Sequence, residues 1–291
     1  TLAGPGVAKS KRHYFYPSVS TSFVVSELLP EATKDWIDLL KVRGSWTQAK
    51  DPAGIYAINS VYTSSSSIWN DVSGTASPSS LYDLDNIRPS ASDTYEIGLN
   101  GMFFKKRLTA DVSYFNKRKY NLLDYGDLSQ ASGYNSKLIN TKEERTSKGW
   151  EVVLTGTPIK NENLQWDLGL NWSTYKEVYS KLDEEYSAKK PWVKVGERTF
   201  QTVPTGEFAG QRIYKSGLLQ KENFSSVIGY KNPDWIWGLN TTLRYKNWSL
   251  FASFDGVVGG MSSSTTEAYM WLQGVHPGTL TPERALDVAT P

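Results

Sequence analysis

The chain has 291 residues, no cysteine, and 32 basic against 30 acidic side chains for a formal net charge of +2. That balance leaves no electrostatic footprint for nucleic acid, and the missing cysteines exclude disulfides, thiolate nucleophiles and cysteine-based metal sites. Aromatic residues reach 13%, while a mean hydropathy of −0.46 leaves no run approaching the ~18 apolar residues of a membrane helix.

Residues 1–13 are small, glycine-containing and basic at their end, and read as a loop. Thr1 follows no methionine or secretory leader, so the expectation is a trimmed or partial chain. Residues 15–25 alternate, with Phe15, Pro17, Val19, Thr21, Phe23 and Val25 against Tyr16, Ser18, Ser20, Ser22 and Val24. Such a period of two is the strand signal. Pro17 then belongs near the strand start or at a bulge. Residues 27–38 read as a turn with room for one helical turn after Pro30. A second strand, 40–48, sets Leu40, Val42, Gly44 and Trp46 against Lys41, Arg43, Ser45 and Thr47. The connection 49–92 is rich in Ser, Asp, Gly and Pro and far longer than a usual loop, which marks it as functional or mobile.

Strand 94–103 places Tyr95, Ile97, Leu99 and Phe103 on one face. After a short turn, strand 108–114 places Leu108, Ala110, Val112 and Tyr114 opposite Thr109, Asp111 and Ser113, and can continue through Lys117, Arg118 and Lys119. A second long loop covers 125–141. Strand 150–155 follows, then a turn predicted at 158–163, then strand 166–173. In that last strand Trp166 and Trp172 share a face, roughly 20 Å apart along the chain. A third long loop covers 181–234.

The clearest pattern is residues 235–255. Trp235, Trp237, Leu239, Thr241, Leu243 and Tyr245 alternate with polar residues, Lys246 and Asn247 break the run, and Trp248, Leu250, Ala252 and Phe254 resume it. Two such runs around a short polar break predict a hairpin. The tail, 257–291, shows no clear strand.

About eight strands therefore emerge, joined by short and long connections in alternation. Apolar faces that begin and end in aromatics suit lipid, with the polar faces toward a wet lumen. They also suit a soluble sandwich whose apolar face meets a second sheet about 10 Å away, which would bury Leu168, Leu170, Leu239 and Leu250. The one-sided placement of long loops favours the membrane barrel.

Several runs together resemble the later barrel strands of the SusC/RagA-type TonB-dependent outer-membrane transporters. They are PSVSTSFVVSE (17–27), LLKVRGSWTQ (39–48), the run LDNIRPSASDTYEIGLNGMFFKKRLTADVSYFNKRKYNLL beginning at 84, SGYNSKLIN (132–140), TSKGWEVVLTGTPIKNENLQWDLGLNWS (146–173) and IGYKNPDWIWGLNTTLRYKNWSLFASFDGVVGG (228–260). The resemblance implies an all-β, antiparallel up-and-down transmembrane barrel in the bacterial outer membrane, with short periplasmic turns and long extracellular loops. It implies import of glycans or peptides, no catalysis and no cofactor. The implied partners are a SusD-like surface lipoprotein, TonB acting through a plug, and membrane lipid and lipopolysaccharide. Members carry a plug domain and about 22 strands, and eight strands cannot enclose that lumen. Residues 1–291 are therefore expected to be part of the barrel domain, with the plug and remaining strands absent. The open edges near 14–25 and 248–256 would pair with the missing strands, because unpaired backbone in lipid is costly.

On this reading Tyr95, Leu99, Val112, Trp166, Leu170, Trp172, Trp237, Leu239, Leu243, Trp248, Leu250 and Phe254 face lipid. Asp111, Glu151, Asp167, Asn171, Asn240, Arg244 and Asp255 face the lumen. Trp69, Tyr82, Tyr125, Tyr134, Trp192, Tyr214 and Trp271 lie in loops and are candidates for stacking on sugar or packing on a partner protein. Asp71, Asp83 and Asp85 carry oxygen ligands that could bind Ca²⁺ in an outer loop, although a solvated loop is the better explanation of them. The two histidines, His13 and His276, stand far apart and nominate neither a metal site nor a base. No phosphate loop, nucleophile elbow or HExxH is present. Three sequons, at Asn171, Asn240 and Asn247, fall on strands or a tight turn and read as coincidence. A soluble carbohydrate-binding sandwich is the alternative. A β-rich glycoside hydrolase ranks last, since no motif nominates its two carboxylates.

Overall fold

Alternation within the strands becomes a wall once their register is known. The computed structural model describes the backbone of residues 14–53, 63–69, 72–76, 80–82, 87–134, 136–202, 210–215, 218–223, 227–262 and 264–279. Eight strands form an antiparallel meander: β1 (Ser18–Val24), β2 (Ile37–Asp51), β3 (Ser90–Phe103), β4 (Leu108–Tyr120), β5 (Glu144–Lys160), β6 (Leu164–Thr174), β7 (Pro233–Tyr245) and β8 (Trp248–Gly259). Each bonds to its neighbours in chain order, and β1 and β8 are left as the two edges of an unclosed sheet. A further strand, Lys176–Lys181, pairs with β5 in the register that β6 has already set, so the two form one long run broken only at Tyr175.

One end of the wall carries tight connections. Residues 246–247 make the two-residue hairpin turn, with Lys246 at φ 50°. At 161–163 the side chain of Asn161 accepts from the backbone N–H of Asn163 and Leu164 at 3.1 and 2.8 Å, replacing the ladder bonds the turn gives up. Phe104, Lys105 and Lys106 all sit at φ near 60°, a left-handed run held by Asp38, whose carboxylate accepts from the Lys106 N–H at 2.8 Å. Two short 3-10 turns, Val25–Leu28 and Glu31–Thr33, join β1 to β2 at the same end.

The other end carries the long connections, and these are built structures. Thr63–Trp69 pairs with Val72–Ala76, and Gly210–Lys215 with Leu218–Asn223. Ser80–Tyr82 runs parallel to Ser136–Asn140, which also pairs with Leu123–Asp127. The first two long loops thus share one small sheet. Beneath it Ile87 and Leu138, packed with Ala53 and Leu123, make a small apolar cluster.

Three sequence expectations need correcting. The strands β2, β3 and β5 run further toward the long-loop end than alternation indicated, while β4 continues through Lys117–Lys119 as expected. Pro158 lies inside β5, not in a turn: the register shifts between Gly156 and Ile159, and at a bulge a residue without N–H costs no ladder bond. The tail holds the end of β8 and then a helix, α1 (Thr265–Leu272), whose cap Ser264 accepts from the Glu267 N–H at 3.2 Å.

The sandwich fails on burial. Among the described residues the buried hydrophobic side chains are only Tyr14, Ile37, Ile87, Ala91 and Leu138. Leu250 is 66% exposed and Leu170 37%, while Leu168 and Leu239 are half-buried by their strand neighbours. No second sheet covers that face among the described residues. No helix is long and apolar enough to cross a membrane, which says nothing of strands.

Candidate functional site

Cross-strand partners share a face, so the register assigns every wall residue a side. Val42, Leu99, Val112, Val152, Trp172 and Trp237 form one continuous row. Leu154, Leu170, Leu239 and Phe254 form the next but one residue along, and Trp166, Leu243 and Leu250 another. Trp248 stands opposite Tyr245, and Tyr95 opposite Trp46. All twelve predicted apolar-side residues thus share one face. One polar group on this face is provided for near the short-turn end: the Trp166 indole N–H donates to Thr241 Oγ1 at 2.8 Å.

The opposite face collects the seven predicted polar residues and pairs several of them. Asp111 accepts from both terminal nitrogens of Arg43 at 2.8 and 2.9 Å, and from Asn100 at 3.1 Å. Asp167 accepts from Arg244 at 2.8 Å, from Thr157 at 2.8 Å and from Gln165 at 2.9 Å. Asn240 accepts from Ser253 at 2.7 Å. Glu151, Asn171 and Asp255 come together around a recess of about 420 Å³ whose remaining wall includes Val153, Ile236 and Val257. Arg43 was not nominated from the sequence, although alternation had placed it on the polar side.

Beyond the wall proper, the long-loop end holds a buried polar knot. Glu177, with 1% of its side chain exposed, accepts from Lys119 at 2.7 Å, Ser147 at 2.9 Å, Tyr175 at 3.0 Å and Thr199 at 3.0 Å. Burial pushes this carboxyl up, and the Lys119 ammonium with the Ser147 and Thr199 hydroxyls outweighs it, holding the group below the ordinary glutamate range. Asp183 does the same with backbone: burial raises it, and the N–H groups of Lys142, Glu185 and Tyr186 bring it below its usual value. Ser187 bridges from the Asp183 N–H to Glu143. The segment 183–200 is thereby clamped to the wall through Thr199, Ser187 and Asp183.

The loop aromatics scatter. Tyr125 is exposed on a loop strand, Tyr134 and Trp192 are half-buried, and Trp271 stacks on His276 with ring centroids 4.3 Å apart. Trp69, Tyr82 and Tyr214 fall on loop strands whose side chains lie outside the described residues, and Asp71, Asp83 and Asp85 lie outside them as well. Among the described residues no cluster of acids and histidines could hold a metal ion.

The family model described as TonB dependent receptor-like, β-barrel matches residues 2–281. The chain belongs to this family. Its strands are those of an outer-membrane barrel, short turns at the periplasmic end and long loops at the extracellular end. The family is one of receptors, not enzymes, and the hydrolase reading falls with that. Two TonB-dependent receptors of Formosa agariphila, P26 and P3, are 26% and 23% identical to the receptor barrel here, covering 85% and 87% of the chain. Solved structures of the RagAB peptide transporter share its fold, with a TM-score of 0.67 at 17% identity over 87% of the chain. The chain spans 28% and 29% of the two receptors' length and 30% of the RagAB chain.

Proposed function

We propose that this segment forms a stretch of wall and outer mouth in an energised importer of peptides or glycans. The observation that carries the reading is the two-faced sheet: one face apolar and uncovered, the other polar and internally ion-paired. The apolar face then meets hydrocarbon and the polar face lines the lumen. In a wide lumen, fixed pairs such as Arg43 with Asp111 and Asp167 with Arg244 keep the wall hydrated without leaving strong single charges to trap cargo. The clamped outer loops offer a firm rim for a SusD-like surface lipoprotein, and TonB would act on a plug carried elsewhere in the whole protein. The RagAB neighbours, solved as a peptide importer, support peptide cargo, while family membership fits glycan cargo equally. Growth of the native bacterium on a peptide mixture and on polysaccharide as sole sources, with and without the gene, tests this. Loss on one source names the cargo, and unchanged growth and uptake on both defeats the import reading.

A further inference from the structure

At the extracellular end of the apolar face, Lys148 and Lys176 stand directly opposite each other on adjacent strands. Like charges so placed repel. Neither ammonium has a hydrogen-bond or ion-pair partner among the described residues, and both side chains are exposed. Their immediate polar-face neighbours, Ser147 and Glu177, are engaged in the knot on the other side of the sheet. Arg118, one row further out, is already taken by Glu144 at 2.8 Å. The two lysines are therefore an unneutralised pair at a fixed height on the wall.

Below Lys148, and offset toward β3 and β4, the same face opens into an apolar groove of about 480 Å³, lined by Val42, Ile97, Leu99, Val112, Tyr114 and Trp150. Trp150 lies two residues from Lys148, roughly 7 Å along the strand. Its ring packs against Tyr114 with centroids 4.9 Å apart, forming the step between the charged row and the groove. A charge pair above an aromatic step above a greasy trough matches one kind of molecule, with an anionic head and hydrocarbon tails.

We propose that Lys148 and Lys176 bind the phosphate of an acylated lipid of the outer leaflet, with one of its chains lying in the groove beneath. The shared anion relieves the lysine repulsion, and the groove supplies what a free phosphate could not use. The inference rests on the apolar face being the lipid face.

The test uses the full-length receptor, extracted in mild detergent, with lipid A as the probe and native mass spectrometry as the readout. Wild type is expected to retain one more lipid A than K148E/K176E, with affinity falling about fivefold for each lysine charge removed. K148R/K176R keeps the charge and should retain the lipid, which separates lost binding from lost folding. Dephosphorylated lipid A should not be held, and millimolar inorganic phosphate should not displace the intact lipid. Equal retention by wild type and K148E/K176E, or displacement by inorganic phosphate, overturns the proposal. The chain has no cysteine, so Ile97→Cys, at a site 65% exposed, reports the face independently. Labelling of that cysteine by a water-soluble maleimide in intact membranes would bring down the wall orientation; protection together with unchanged lipid retention would bring down the lipid site alone.

Discussion

Arg43 reaches over Gly98 to grip Asp111, two strands away, with both terminal nitrogens. Gly98 is Arg43's cross-strand partner and Asp111 lies diagonally beyond it, opposite Asn100; a Cβ at Gly98 would come within 2.4 Å of the Arg43 Nε. The glycine is the gap through which the guanidinium lies flat on the sheet. Gly98→Val should therefore dislodge the arginine, and Arg43→Met should remove the same contact directly. Both groups are about a third exposed, so the pair contributes about 1 kcal/mol after screening. The temperature at which the folded barrel loses its anomalous gel mobility should fall slightly for each variant. In the double variant the two effects should not add. Full additivity would mean that Gly98 serves something other than Arg43.

The knot at Glu177 predicts a pH response confined to the mouth. A carboxyl held below its unfolded value contributes stability that is complete above about pH 4.3 and is lost as pH falls through the lower, folded value. Asp183 has the same sign. Segment 183–200 should stay protected from proteases at neutral pH and become cleavable under strongly acidic conditions, while the wall strands remain intact. Hydrogen exchange read peptide by peptide on detergent-extracted receptor checks this. Protection that drops instead on going from neutral to alkaline pH would contradict the assignment.

Glu177→Leu should loosen the same loop at neutral pH. It leaves the Lys119 ammonium, about a third exposed, without its partner and Ser147 and Thr199 without their shared acceptor, a cost of about 1–3 kcal/mol, most of it from the buried hydroxyls. Glu177→Gln keeps an acceptor for the hydroxyls and should cost less. The order of proteolysis rates at segment 183–200, Leu above Gln above wild type, is the measurement.

How far the chain could be read without coordinates follows from which forces are local. The face of Trp166, Leu170 and Trp172, or of Trp237, Leu239 and Leu243, is written in alternation, because a strand with one apolar and one polar face has a period of two. Past the apolar band that contrast disappears. Lys117 to Lys119 continue their strand as expected, whereas Glu144 to Gly149 are strand without alternation, and the sequence does not show it. Asp167 and Arg244 were both nominated and never linked, since the register that joins them crosses a loop of some fifty residues. Pro158 reads as a turn in the sequence because a bulge has no composition of its own. The helix at Thr265–Leu272 carries a local signal, Ser264 with Glu267 three residues on as a capping-box pair, but it is set within a run of serines that reads equally as loop.

The apolar face makes the last prediction. If it meets lipid, the Trp166 indole N–H has no water to turn to, and Thr241 is its sole acceptor among the described residues. Thr241→Val should then cost about 1 kcal/mol by stranding the donor. Trp166→Phe should cost little beyond lost packing, and Thr241→Val on the Trp166→Phe background should be close to neutral, since no donor remains to strand. A charge is the harsher probe. Leu239→Arg, in the middle of the band, should lower stability by about 2–4 kcal/mol. Asn240→Arg, one residue along on the other face, should be tolerated because its side chain meets water. Folded yield and the unfolding midpoint in urea, measured in lipid vesicles, compare the two. Equal tolerance at Leu239 and Asn240 would mean that water reaches both faces, and a lipid-facing wall could not survive that result.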